Sequence, residues 1–388
     1  MENGYVTGGS TFVAPGYSVY GENIAFDMNP IAIAMSQVIL RNVTFVNCRC
    51  LVPNLGLLLV VRNSDITVQE LVVRNTSAGG FLKTPFSALR LNDVLIEKCK
   101  FDILIQYTCN SQISFQRLSL LHTHTALVFD TNSTLSFTDT TILSFTSHSL
   151  LMVGISTRLI LLNVTVLDLR LSQLGKFTQG SSLTFTQCTF DKIRTVNQMG
   201  WQIREGQLDI SDSLFKHFEL ALFQGITANI SIARTSFLHG RNPTQSLISK
   251  AAYGGVLGCV NCPQVSINEA ETVNVTSKVG GGFSFRSDST QEATQLSIAE
   301  SYFARCRATR GAALFIQNAA YVISDCRFLD NAAESVGGAM EVSTKPVQSS
   351  TVLNSTFTGN RATEGGAVKW NNAQVYFVQV TFSANSAV

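Results

Sequence analysis

Charged side chains are scarce in this chain. Asp, Glu, Lys and Arg make up 14% of its 388 residues, against about 25% in an average soluble domain. Ordinary surface helices carry a charged outer face, so a helical protein of the usual kind is excluded. Disorder is excluded too, because it needs low hydrophobicity and high charge, and 45% of the residues are hydrophobic. The net charge of +2 leaves no electrostatic basis for nucleic-acid binding. Long apolar runs are missing: residues 57–61 form one of the longest, and a membrane-spanning helix needs about 20. Seven prolines and 27 glycines fit neither a Pro-rich linker nor a collagen. Nine cysteines are an odd number and form no dense disulfide framework. The first residues show no basic stretch followed by an apolar one, as a signal peptide would.

What the chain does have is an internal repeat. A bulky apolar residue recurs at positions 45, 73, 96, 120, 142, 166, 190, 215, 237, 272, 303, 328, 357 and 382, with Thr at 272. The spacing is about 24 residues, with a longer step before Thr272. In most copies a second apolar residue lies five positions earlier, as in Phe185/Phe190, Ile210/Phe215 and Ile323/Phe328. Three residues before the index position the side chain is always polar, from Asn42, Glu70 and Asp93 to Asn354 and Gln379. Two before it the residue is often small, as at Cys188, Ser213, Ser301, Cys326 and Ser355. Alternation with period two marks strands, and the polar column marks a turn or exposed edge between two of them.

Few architectures accept short strands at this period. The columns of a leucine-rich repeat are absent, and a propeller blade needs about 40 residues. A single-stranded right-handed parallel β-helix, all-β and pectin-lyase-like, fits with about fourteen coils of about 24 residues. Equivalent columns then stack into ladders, so Phe45, Phe190, Phe215, Phe237, Phe303, Phe328, Phe357 and Phe382 fall in one buried column. A fully buried ring of this size contributes roughly 1.5–3 kcal/mol. The fold also accounts for the low charge, since faces whose backbone is paired coil to coil can be Ser, Thr and Asn.

The later coils carry a more specific pattern. Phe328 and Asn331 are followed by Gly337-Gly338-Ala339-Met340, Phe357 and Asn360 by Gly365-Gly366-Ala367-Val368, and Phe382 and Asn385 begin a third copy. Phe303 to Cys306 with Gly311-Ala312-Ala313-Leu314 is a weaker version. These paired FxxN and GGA(I/V/L) motifs resemble the repeats of chlamydial polymorphic outer membrane proteins, over residues 279–388. The resemblance implies a surface-exposed β-helical adhesin. Physically, Phe fills the core. Asn bonds turn backbone and stacks with its neighbours. The glycines allow unusual dihedrals or close backbone approach. None of these roles is catalytic.

Candidate chemistry is thin. The paired Asp, Gly-His-Gly and Arg-Ile-Lys runs of a polygalacturonase are absent, as are phosphate-loop and dinucleotide fingerprints, and no cofactor is expected. His122 and His124 share strand parity and are the nearest approach to a metal pair. Glu269, Glu300 and Asp325 lie in one column of consecutive coils. At a coil spacing of about 4.8 Å they could hold Ca²⁺, although a solvated ladder compensated by Arg305 and Arg327 is the plainer reading. Cys259 and Cys262 have zinc-knuckle spacing, but with no second pair a local disulfide in an inserted loop is equally compatible. Cys48, Cys99 and Cys306 stand in the slot that Asn takes in FxxN, and Cys188 and Cys326 in the small inward slot, as buried apolar residues. Asn-X-Ser/Thr sequons begin at Asn42, Asn75, Asn132, Asn163, Asn229, Asn274 and Asn354.

The sequence therefore predicts one solenoid. Residues 1–262 form irregular coils with an inserted loop near 238–262, and residues 263–388 form the motif-bearing coils. Both ends read as mid-coil sequence, which suggests a part of a larger surface protein. The expected function is a non-enzymatic cell-surface or extracellular scaffold that binds glycans or a host or matrix surface. The alternatives are a polysaccharide lyase or hydrolase acting along a sheet face, which needs clustered carboxylates beside Arg or Lys, and a structural spacer.

Overall fold

A computed structural model describes residues 5–7, 11–13, 18–27, 31–34, 37–46, 57–106, 109–127, 132–146, 150–171, 173–242, 254–288, 294–343, 349–372 and 374–388. Among them there are strands and turns and no α-helix. The fold is a parallel β-solenoid of the right-handed β-helix type. The chain divides into two compact units, Met1–Thr189 and Phe190–Val388.

Within each unit, parallel pairing holds the repeat column in register. In the first unit Phe45 lies beside Val73, then Ile96, Leu120, Ile142 and Val166. In the second, Phe215 lies beside Phe237, then Thr272, Phe303, Phe328, Phe357 and Phe382. Phe45 thus has Phe26 on one side and Val73 on the other in register, while the rings of the later coils stack face to face. Ring centroids are 5.0 Å apart for Phe190–Phe215, 5.0 Å for Phe303–Phe328 and 4.5 Å for Phe328–Phe357. Thr272 interrupts the stack, and Phe283 from another side of the coil fills the gap. Its ring meets Phe237 edge-on at 6.1 Å and Phe303 edge-on at 5.8 Å.

The always-polar column has a backbone cause. Every one of its residues, from Asn42 (φ 49°) through Glu70, Arg117 and Asp212 to Gln379 (φ 53°), is in the left-handed region. A single left-handed residue turns the chain sharply between strands and throws its side chain into solvent, which excludes apolar side chains there. A second corner follows two residues after the index position, at Asn75, Lys98, His122, Lys192, His217 and their equivalents. A third precedes the first by about seven residues, at Asn63, Asn110, Asn132, Ser156, Thr227, Asn261 and Asn318 among others. Turns showing all three corners number about 11, fewer than the fourteen expected coils. The parallel pairings also continue the index column ahead of Phe45, to Phe26 and Val6.

Behind many of the corners sits a small buried Ser, Thr or Cys that ties the turn down, while others are backed by apolar residues such as Leu71, Leu118 and Phe218. The Ser, Thr or Cys side chain donates to the carbonyl two residues back, across the left-handed position. Thr123 Oγ1 to Leu121 O (3.0 Å), Thr235 Oγ1 to Ala233 O (2.8 Å), Ser355 Oγ to Leu353 O (2.6 Å) and Cys326 Sγ to Ser324 O (3.1 Å) are examples. The same atom often accepts the N–H of the equivalent residue one coil earlier, as Ser111 Oγ does from Ser87 N (3.3 Å) and Ser355 Oγ from Cys326 N (3.1 Å). Ser64, Ser87, Ser111, Ser133, Thr157 and Ser181 make such a buried column in the first unit. Cys188 and Cys326 occupy the first-corner slot and Cys99 and Cys306 the second-corner slot, all buried, as the columns predicted. Cys48 lies outside the described residues.

In the FxxN coils the second-corner slot holds Asn331, Asn360 and Asn385. Asn331 Nδ2 donates to Phe303 O (3.0 Å) and to Asn360 Oδ1 (3.0 Å), and Asn360 Nδ2 donates to Phe328 O (3.0 Å) and to Asn385 Oδ1 (2.9 Å). Asn331 and Asn360 are fully buried, so the ladder lies inside the corner rather than on it. Of the glycine pairs, Gly337 (φ 68°) and Gly365 (φ 62°) supply left-handed backbone. A Cβ at Gly338 would lie 1.8 Å from Gly366 O, and one at Gly366 would lie 2.5 Å from Ser386 C and O.

Candidate functional site

A groove-like surface lies on the outer face of one sheet in the 190–388 unit. Its strands are Gln207–Ser211, Asn229–Ala233, Gln264–Asn268, Thr294–Ala299 and Ala319–Ser324. Strict alternation buries Leu208, Ile230, Val265, Leu296 and Tyr321 and turns their neighbours outward. Register then aligns the outward residues into two rows. Gln207, Asn229, Gln264 and Gln295 form a row of amides, and Asp209, Ser231, Ser266 and Ser297 form a row headed by a carboxylate and continued by hydroxyls. The second row runs on through Val322 and Thr351 to Tyr376, which is 57% exposed. Two depressions, of about 640 Å³ and 260 Å³, lie over these rows and share Gln264 and Ser266.

The groove is nearly uncharged. Its one lining carboxylate, Asp209, has its pKa raised by burial, offset in part by the hydrogen bond from Gln207 Nε2 (2.8 Å). Neither Arg nor Lys lines it. Hydrolysis by paired carboxylates needs a second acid across the scissile bond. Lyase chemistry, by the requirement set above, needs a cation beside clustered carboxylates, and the groove lining supplies neither. What the arrangement offers is repeated donors and acceptors along the stacking direction, with an aromatic side chain at one end. Beneath the floor, the Tyr321 hydroxyl is buried without a hydrogen-bond partner, and that burial pushes its pKa upward.

The sequence-nominated residues lie elsewhere. Glu269, Glu300 and Asp325 occupy the first-corner column of successive coils, outside the groove. Glu269 Oε1 accepts from Asn268 Nδ2 (2.9 Å), and Asp325 Oδ1 accepts from Asn354 Nδ2 on the next coil (2.5 Å), where Arg305 or Arg327 had been expected. Elsewhere in this corner column two carboxylates meet arginines, Asp93 with Arg117 (2.5 and 2.7 Å) and Asp212 with Arg234 (2.6 and 2.9 Å), and Asp139 accepts from Asn163 Nδ2 (2.7 Å). Among the described residues no group of three or more His, Cys, Asp or Glu is placed to hold a metal ion. Phe328, Asn331, Gly337, Gly338, Phe357, Asn360, Gly365, Gly366, Phe382 and Asn385 form the packing and corner ladders described above.

Two expectations need correction. His122 and His124 are not strand neighbours: His122 is a left-handed corner residue, and His124 begins a new strand where its Nδ1 lies 3.0 Å from Thr146 Oγ1. Cys259 and Cys262 do not lie in an inserted loop. Cys259 belongs to the strand Leu257–Val260, paired on both sides, and Cys262 fills the inward slot after the corner at Asn261. Both are free thiols, and burial, with Cys262 adjacent, pushes the Cys259 pKa well up, the opposite of a reactive or metal-binding thiolate. The insertion is shorter than 238–262, and residues 243–253 lie outside the described residues.

No protein-family model matches the chain, and no curated protein matches it in sequence. Solved structures do resemble it. One is the PL6 family alginate lyase AlyGC, at 11% identity and TM-score 0.38, covering 94% of this chain and 72% of that one. Another is the periplasmic alginate epimerase AlgG, at 9% identity and TM-score 0.30, covering 97% and 84%. A third is PfbA, a surface adhesin of Streptococcus pneumoniae, at 8% identity and TM-score 0.27, covering 93% and 85%. The likeness is one of fold: two of these proteins are named as enzymes and one as an adhesin.

Proposed function

We propose that this protein is a non-catalytic, carbohydrate-binding β-helix of a cell surface or extracellular space, adhesin-like in role. The observation that carries the reading is the paired amide and hydroxyl rows in a groove with a single carboxylate. Such rows suit the hydroxyls of an uncharged polysaccharide lying across successive coils, with Tyr376 offering its ring face to a sugar. The FxxN and GGA motifs favour the same surface role through their resemblance to polymorphic outer membrane proteins.

Affinity electrophoresis of the full chain in gels containing xylan, laminarin or galactomannan tests this. Retardation by at least one, lost in the double variant Gln264→Ala/Gln295→Ala and reduced in Tyr376→Ala, is the expected result. No retardation in any gel would overturn the reading of this groove as a site for an uncharged polysaccharide. Release of reducing ends, abolished by Asp209→Asn, Glu300→Gln or Asp325→Asn, would make the protein an enzyme.

A further inference from the structure

A second ordered surface lies on a different face of the same unit. The column four residues after the index position reads Arg194, Glu219, Arg241, Thr276, Arg307, Ala332, Arg361, Ser386. Arginine occupies every second coil and shorter residues fill most of the coils between. Parallel pairing aligns them: Arg241 pairs with Thr276, Thr276 with Arg307, Arg307 with Ala332, Ala332 with Arg361 and Arg361 with Ser386. At about 4.8 Å per coil, successive guanidiniums recur at roughly twice that distance, near 10 Å.

Their electrostatic settings differ. Arg194 Nη2 is 3.3 Å from Glu219 Oε1. Arg241, Arg307 and Arg361 are exposed and make no ion pair among the described residues. Between Arg307 and Arg361 the surface dips over Ala332 into a depression of about 500 Å³. Its one carboxylate side chain, Glu334, already accepts a hydrogen bond from Thr309 Oγ1 (2.9 Å). The short side chains of Thr276, Ala332 and Ser386 leave the Arg307 and Arg361 forks open to an incoming oxyanion, and Arg241 has Thr276 on one side while Glu219 on the other is engaged by Arg194. Arginine binds carboxylate and sulfate-like groups bidentately, which a lysine cannot do.

We propose that this face is a binding site for an acidic polysaccharide running along the stack, with Arg241, Arg307 and Arg361 each engaging one anionic group. The interval selects the polymer. Each strand of a nucleic-acid duplex presents a phosphate about every 3.4 Å of helix axis, too densely for one arginine in every second coil. An alternating glycan with one uronate in each disaccharide presents its charges at the longer interval. The proposal does not depend on the neutral groove, which uses other strands and other residues.

The test is titration of the full chain with hyaluronan, a glycan with one carboxylate per disaccharide, at several salt concentrations. Saturable binding that weakens with salt is expected. Arg307→Gln and Arg361→Gln should each weaken it about fivefold, the double variant more, with a shallower salt slope. Arg194→Gln, whose guanidinium already faces Glu219, should change affinity less than twofold. Because all are exposed, an unchanged melting temperature is expected and separates lost binding from lost fold. Absence of hyaluronan binding, equal weakening by Arg194→Gln, or equal affinity for duplex DNA would each overturn the proposal. Loss of xylan, laminarin and galactomannan binding alone would leave it standing.

Discussion

The most exacting test of the corner mechanism is Asn360→Ala. Asn360 is fully buried, and its Oδ1 accepts from both the backbone N–H and the side-chain Nδ2 of Asn331, each at 3.0 Å. Alanine leaves those two buried donors without an acceptor, at about 1–3 kcal/mol each. A total near 4 kcal/mol would lower a urea midpoint by about 1 M or more, for a slope of about 3 kcal/mol/M. Both tryptophans, Trp201 and Trp370, lie in the 190–388 unit, so fluorescence during urea titration follows the right part of the chain. Asn360→Thr should lose less, because Thr76 and Thr123 occupy the equivalent slot and bond the carbonyl two residues back, as Thr76 Oγ1 does to Arg74 O (3.0 Å). The exposed Thr363→Ala serves as reference, with an expected effect within about 0.5 kcal/mol. If Asn360→Ala unfolds at the urea concentration of that reference, the ladder is packing detail and the account of the corners is wrong.

Further outcomes follow from other positions. Tyr321→Phe removes a buried hydroxyl that has no partner and should raise stability by about 1 kcal/mol, read as a higher midpoint. Gly338→Ala sets a Cβ against backbone 1.8 Å away and should cost well over 2 kcal/mol. Gly180→Ala, at φ 74° with open space around it, should cost only about 1 kcal/mol, and thermal melts compare the two. Arg117 and Arg234 hold the Asp93 and Asp212 carboxyls below the usual range. Stability from these pairs is present above the unfolded value of about 3.9 and is lost as pH falls through the lower folded value. Asp93→Asn with Asp212→Asn should therefore flatten the acid limb of melting temperature against pH. Asp209 has the opposite sign: burial raises its pKa, so Asp209→Asn should stabilise at neutral pH and have no effect in acid.

The parts of this fold that were legible in the sequence are those where one chemical requirement rules a column. The core column needs a large apolar residue, and the first corner needs a polar one, so both stand out at the repeat interval. The second corner is as regular in backbone yet invisible in sequence, because Asn75, Lys98, His122 and His217 share only a left-handed φ. The buried serine column was hidden by the abundance of Ser and Thr on the outer faces. Cys259 and Cys262 misled because the longer step before Thr272 suggested a loop, whereas the chain rejoins the coil before Leu257. The arginine column was missed because the coils between carry Glu, Thr, Ala and Ser, and only alternate copies repeat. The groove needed register as well as pattern, since amide and hydroxyl rows form only when several strands are aligned.

The corner slots also have a mechanical consequence. In the 190–388 unit the pairing bonds join each coil to the next, so a pull along the stack loads one coil at a time, like a zipper. Each released coil of about 24 residues would add roughly 80 Å of contour length, at 3.3–3.6 Å per residue. The Asn ladder adds side-chain bonds between the coils of Phe328, Phe357 and Phe382. Those coils would resist peeling more than the coil of Thr272, where the ring stack is broken. The same residues that shape the turn thus grade the force at which the fold opens.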